Sequence, residues 1–227
     1  MSELTLWEHL MELKNTLLKL LVSWLGCTLA VIPFHDRIFA FITAPLGTSA
    51  YLFTPVSGVL FYIRVYLLLG FILAFPFLLW FAWQYLIDLF EARGRRYIQT
   101  LIPVSLGLAY TGVVYGYFFL IPSSIEILLS IQPPNTQYLI GAEDYISFVL
   151  GLLVIMVFIF QIPLVIFSSV KSGLIKASFY GAHRKEFYFG FVVLTAVFTP
   201  TPDVFTLFLI VIPMLIMYEI ALLLGRL

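Results

Sequence analysis

Charge is scarce in this chain. Only 11% of its 227 residues are Asp, Glu, Lys or Arg, twelve acidic against twelve basic. That is too little to solvate a globular surface, and no basic face is left over for a nucleic acid. Cysteine is nearly absent: Cys27 stands alone, which excludes a disulfide within the chain and a cysteine-based metal site. The three histidines, His9, His35 and His183, are dispersed and lack metal-ligand spacing. There is no Gly-rich phosphate loop, no Gly-x-Ser-x-Gly and no pair of aspartates within an apolar run. The expectation is a protein without metal, cofactor or catalytic residues, and not an enzyme. A cleavable signal peptide is not expected either, because the N-terminus is a polar, amphipathic stretch. Internal repeats and inverted symmetry are not evident, which counts against the common transporter folds.

What is present is apolar length. Hydrophobic residues make up 62% of the chain, and the mean hydropathy is +1.07. A helix crossing a bilayer needs about 20 such residues. The pattern predicts six spans, at about 16–34, 59–87, 97–121, 145–170, 187–199 and 204–224, forming one integral-membrane domain over residues 1–227. Ten basic residues (Lys14, Lys19, Arg93, Arg95, Arg96, Lys171, Lys176, Arg184, Lys185 and Arg226) fall at every second boundary, and only Arg37 and Arg64 lie opposite. Positive loops stay in the cytoplasm, so both termini are expected inside. The fold class is all-α and polytopic, with an amphipathic N-terminal helix and short fifth and sixth spans.

Along the chain, Thr5-Leu6-Trp7-Glu8 has the form of a capping box. Leu6, Leu10, Leu13 and Leu17 recur at helical spacing, which predicts an amphipathic helix lying on the cytoplasmic face and feeding the first span. Between 35 and 58, Ile38–Ile42 is too short to cross, so a partly buried helix closed by Ala44-Pro45-Leu46-Gly47 is expected. Pro76 should kink the second span. Gly107, Gly112 and Gly116 are spaced for close helix contact in the third. Pro122 to Asp144 reads as an external loop with a rigid turn at Pro133-Pro134-Asn135.

Polar groups inside a bilayer are costly and face a cavity or a partner. Gln161 lies roughly 24 Å along the fourth span, next to Pro163, where it either makes an interhelical hydrogen bond or serves a site. Glu219, near the inner end of the last span, either snorkels or pairs with Arg226, or else marks a functional position. Arg64 is explained by snorkelling. Glu12 follows Glu8 by four residues on one helix face, with Lys14 off that face. Glu8 serves the cap, whereas Glu12 has none to serve and is either part of a solvated face or a recognition group.

The segment His9-Leu10-Met11-Glu12-Leu13-Lys14 resembles the His-Leu-x-Glu-Leu-Arg signature that opens TatC, the core receptor of the twin-arginine translocase. Further resemblances follow in chain order: Ala44-Pro45-Leu46, Phe75-Pro76 with Trp83, Tyr117-Phe118 with Pro122, and Tyr145-Ile146-Ser147-Phe148. Phe160-Gln161-Ile162-Pro163, Thr199-Pro200-Thr201-Pro202-Asp203-Val204-Phe205, Ile212-Pro213-Met214 and Tyr218-Glu219-Ile220 complete them. The resemblance implies recognition of paired-arginine signal peptides on folded cargo and nucleation of the translocation complex. It also implies partner helices of the TatA/TatB single-span type, self-association, and residence in the cytoplasmic (inner) membrane. Glu12, Glu91, His9 and Lys14 become the candidate signal-peptide residues, Gln161 and Glu219 the intramembrane partner contacts, and Pro45 and Asp203 the structural residues of the external turns. Asp203 would cap the last helix. The family usually has Glu directly before the paired basic residues of the first internal loop; here Gly94 precedes Arg95-Arg96, and Glu91 is the nearest acidic residue. Lys14 stands where Arg is usual, and Leu207 where Gln often occurs. The competing reading is a proton-coupled secondary transporter of a small solute, built on Gln161 and Glu219.

Overall fold

The computed structural model describes residues 6–47, 50–89, 95–131, 139–171, 173, 175–199 and 203–225. Among them there are helices and turns and no strand beyond an isolated bridge between Tyr51 and Gly141. The ten α-helices are α1 (Leu6–Val31), α2 (His35–Thr43), α3 (Pro55–Leu89), α4 (Arg95–Tyr115), α5 (Ile121–Ser130), α6 (Ala142–Ile159), α7 (Ile162–Lys171), α8 (Ala177–Ala182), α9 (Arg184–Phe198) and α10 (Val204–Gly225). Five helical stretches are long and apolar enough to cross a membrane: 10–34, 56–81, 101–130, 142–171 and 204–224. This is a multi-pass membrane protein.

Several expectations are corrected. The amphipathic N-terminal segment is not a separate surface element. α1 runs unbroken for 26 residues, about 39 Å, because neither Pro nor Gly interrupts it before Gly26. The last span is not short: α10 has 22 residues, about 33 Å. Over the expected fifth span, 187–199, α9 has 15 residues and is not one of the five stretches long enough to cross. Pro122 does not end the third span. A π turn over Gly116–Leu120, with the Ile121 amide on the Gly116 carbonyl, widens the backbone there. That gives the proline ring room beside the preceding carbonyls, and the helix continues to Ser130. In the fourth span Pro163 does break the ladder. Gln161 sits in the turn between α6 and α7, its amide reaching back only three residues to the Phe158 carbonyl at 3.0 Å. The Thr5 cap, the Pro133-Pro134-Asn135 turn and most of the first internal loop, Glu91 included, lie outside the described residues.

The described residues form two compact groups, 1–38 with 62–106, and 39–61 with 107–227. In the first, α1 and α3 meet at backbone distance. A Cβ on Gly70 would stand 2.7 Å from the Thr28 Cα, so glycine is required there. Trp24 satisfies its indole on the Leu67 carbonyl at 2.9 Å. In the second, Leu120, Ile121, Ile146, Leu152, Met156, Ile210 and Tyr218 are fully buried. α10 packs chiefly along α7. The glycine trio of the third span divides. Cβ atoms on Gly112 and Gly116 would lie 2.7 Å from the Met156 carbonyl oxygen and 2.9 Å from Leu153 Cδ2, but Gly107 faces open space.

The segments around Tyr51 and Gly141 are tied within this second group. The Tyr51 amide donates to the Ile140 carbonyl, and the Tyr51 carbonyl takes the Ala142 amide, both at 2.9 Å. The second bond satisfies a first-turn amide of α6 that has no partner within its own helix. α2 ends in a 3-10 turn over Ala44–Leu46, closed by Gly47 at φ +66°, a conformation that glycine adopts without strain.

Gly112→Ala is expected to cost about 1–3 kcal/mol, since the methyl meets a backbone carbonyl that cannot swing aside. Gly107→Ala should be neutral or stabilise by about 0.5–1 kcal/mol through helix propensity. Denaturant unfolding of both variants in the same detergent checks the pair.

Candidate functional site

The residues put forward from sequence fall in separate places. His9, Glu12 and Lys14 are all on α1, in the first compact group. Glu12 is half-buried and Lys14 exposed. A step of two residues turns a helix by about 200°, so these two side chains leave α1 on nearly opposite sides. A half-buried carboxylate at a helix surface can accept two parallel N–H bonds from one guanidinium. Glu91, the second carboxylate expected at this face, lies outside the described residues.

Gln161, Glu219, Pro45 and Asp203 belong to the second group. Gln161 is half-buried at the break between α6 and α7, and its own carbonyl accepts the Val165 amide at 3.0 Å. The break follows from the missing N–H of Pro163. Asp203 caps α10: its Oδ1 accepts the Thr206 amide at 2.6 Å. Pro45 occupies the 3-10 turn after α2.

Glu219 has a partner that the sequence did not suggest. Its Oε2 takes the Arg184 guanidinium at 3.0 Å, and its Oε1 takes the Tyr188 hydroxyl at 2.5 Å. Arg184 and Tyr188 are one turn apart on α9, so they present to the carboxylate from one face. Arg226, the partner expected from proximity in sequence, lies outside the described residues. One position earlier on α10, Tyr218 is buried and donates to the Tyr180 carbonyl at 2.7 Å; Tyr180 and Ser169 share a hydrogen bond of 2.8 Å. Phe187, Tyr188 and Phe191 of α9 surround the Tyr218 ring at 5.2–5.8 Å between centroids. The result is a clasp that ties α7, α8, α9 and α10 together. Both carboxylate oxygens of Glu219 are engaged within the chain.

Sequence reasoning passed over the tyrosines. Tyr115, Tyr117, Tyr145, Tyr188 and Tyr218 each place a hydroxyl on an acceptor from another element. The available signal was physical: a tyrosine within an apolar run must find an acceptor for its hydroxyl. The acceptor itself is a tertiary fact.

Comparison with known proteins gives a consistent result. A family model described as Sec-independent protein translocase protein (TatC) matches residues 8–213. The Sec-independent protein translocase protein TatC of Aquifex aeolicus is 30% identical over 98% of this chain and 95% of its own length. That of Desulforapulum autotrophicum is 29% identical over 96% and 83%. The solved structure of the twin arginine translocase receptor TatC in DDM superposes with a TM-score of 0.86 at 28% identity, covering 97% of this chain and 100% of that one.

Tyr188→Phe and Glu219→Gln are each expected to cost about 1 kcal/mol, as the loss of one hydrogen bond or of one partly exposed ion pair. Glu219→Ala should cost more than Glu219→Gln, because the amide can still accept from Tyr188. Thermal unfolding of the three variants in detergent checks the order.

Proposed function

The chain belongs to the TatC family of Sec-independent protein translocase proteins, and from that premise we propose that it is the receptor and core subunit of a twin-arginine translocase. TatC proteins are translocase components rather than enzymes. The observation that carries the reading is the agreement, in both sequence and fold, along almost the whole chain with a solved twin arginine translocase receptor. In this reading the chain sits in the cytoplasmic membrane with both termini inside, as the charge pattern requires. It binds paired-arginine signal peptides of folded cargo at its cytoplasmic face and nucleates the complex that moves them.

Recognition rests on Glu12, supported by His9 and Lys14 on the same helix and by Glu91 in the first internal loop, where it takes the place of the family's loop glutamate. A guanidinium offers a planar fork to a carboxylate, whereas an ammonium offers a point charge. Arginine is therefore favoured over lysine by geometry rather than by charge. Gln161 contacts a single-span helix of the TatA/TatB type or the inserted signal peptide, and further copies of the chain assemble in the complex. Glu219 supports this surface through the α9–α10 clasp. Pro45 and Asp203 shape the external turns. The transporter alternative has no support from the relatives, and Glu219, one of its two proposed proton-linked groups, is already held by Arg184 and Tyr188.

The test is binding of a labelled twin-arginine signal peptide to the protein in nanodiscs at fixed salt, beside a twin-lysine peptide and a Glu12→Ala variant. The twin-arginine peptide should bind tighter by roughly tenfold, a difference of about 1.4 kcal/mol, and Glu12→Ala should erase it. Equal binding of both peptides, unchanged by the substitution, contradicts the role given to Glu12.

A further inference from the structure

Two helix carbonyls in the second compact group face the same difficulty. In an α-helix the carbonyl of residue i accepts the amide of residue i+4. For Phe41 that residue is Pro45, and for Leu209 it is Pro213, which lies inside α10. Proline has no N–H, so both carbonyls lose their donor. For Leu209, within a membrane-crossing helix, there is no water to replace it, and the Phe41 carbonyl lies in the segment between two such helices.

Both carbonyls are met by tyrosine. The Tyr117 hydroxyl donates to the Phe41 carbonyl, and the Tyr115 hydroxyl to the Leu209 carbonyl at 3.3 Å. The two tyrosines are two residues apart at the junction of α4 and the π turn. On a helix that spacing sends them about 200° apart, one toward α2 and one toward α10. A third tyrosine treats the neighbouring carbonyl alike. Ile42 would accept the Leu46 amide in α geometry, but the 3-10 turn over Ala44–Leu46 directs that amide to Thr43. The Tyr145 hydroxyl donates to Ile42 instead, at 2.6 Å. Ring packing adds to the first contact: Tyr117 and Phe41 stack with centroids 4.2 Å apart and planes within 7°.

We propose that Tyr117 and Tyr115 are positioning residues paired with specific prolines, each hydroxyl standing in for the amide that Pro45 or Pro213 withdraws. Through this pairing the turn after α2 and the middle of α10 are both fixed to one short helical segment. The prolines open a socket in each backbone, and the tyrosines plug into it. The pairing does not depend on what the chain carries.

This makes a selective genetic claim. Restoring the amide should make the matching hydroxyl dispensable and leave the other needed. The experiment is a crossed set in detergent: Tyr117→Phe and Tyr115→Phe, each alone, with Pro45→Ala and with Pro213→Ala. Phenylalanine keeps the ring contacts and removes only the donor. Each Tyr→Phe change alone should lower Tm by about 2–4 °C, as expected for one hydrogen bond in a chain of this size. Pro45→Ala should remove most of the Tyr117→Phe loss and none of the Tyr115→Phe loss, and Pro213→Ala the reverse. Tyr145→Phe should be rescued by neither.

Hydrogen exchange gives a second readout that does not rely on stability. The amide created at position 45 should exchange more slowly when Tyr117→Phe is also present, since the hydroxyl no longer competes for the carbonyl. Losses that are the same in every background, or rescue that ignores the pairing, overturn the proposal. So does failure of either proline variant to fold in an otherwise unchanged chain, because the carbonyl keeps a second lone pair for the added amide.

Discussion

A backbone carbonyl in hydrocarbon has no water to turn to, and this chain repeatedly interrupts its own helices. Pro76, Pro103 and Pro213 lie inside helices, Pro122 and Pro163 at helix junctions, and Pro45 in a tight turn. Each removes one amide from the ladder. The architecture follows from how the deficits are met: a π turn before Pro122, a turn at Gln161 before Pro163, and tyrosine hydroxyls opposite Pro45 and Pro213. Side-chain capping completes the set, with Asp203 on the Thr206 amide at the start of α10. The broken helices are thus held by contacts between elements rather than by unbroken ladders.

That construction suits a receptor. Uninterrupted helices present uniform cylinders to lipid, whereas a break places a polar residue such as Gln161 at a half-buried turn. The clasp of Arg184, Tyr188 and Glu219 shows the same economy between α9 and α10. An ionisable group in a membrane helix, which by itself invites a proton-transport reading, is satisfied by two groups one turn apart on the neighbouring helix. In the proposed function recognition rests on Glu12, half-buried on the long, unbroken α1.

Much of this was legible in the sequence. The apolar runs gave the long helices, although the fourth, read as one span over 145–170, breaks at Gln161. Asp203 ahead of Val204-Phe205-Thr206 announced a cap. Other features were not legible because they depend on who lies opposite. Gly107, Gly112 and Gly116 share a spacing, but only the last two meet α6. Pro122 looked like a terminator, and a π turn carried the helix past it. Glu219 is thirty-five residues from Arg184, and only the fold brings the two together. The amphipathic start of α1 was read as a surface helix, but with no breaker before Gly26 the helix simply continues.

The whole account depends on sidedness: Glu12 must face the cytoplasm and the turn at Ala44–Leu46 the outside. The most direct measurement is labelling of single cysteines in intact cells by a membrane-impermeant maleimide, in a Cys27→Ser background, at Lys14→Cys, Ala44→Cys and Lys185→Cys. The account predicts labelling at position 44 in intact cells, and at positions 14 and 185 only after permeabilisation. Labelling of position 14 or 185 in intact cells would contradict it, because the carboxylate assigned to signal-peptide recognition would then face away from every peptide it is meant to bind.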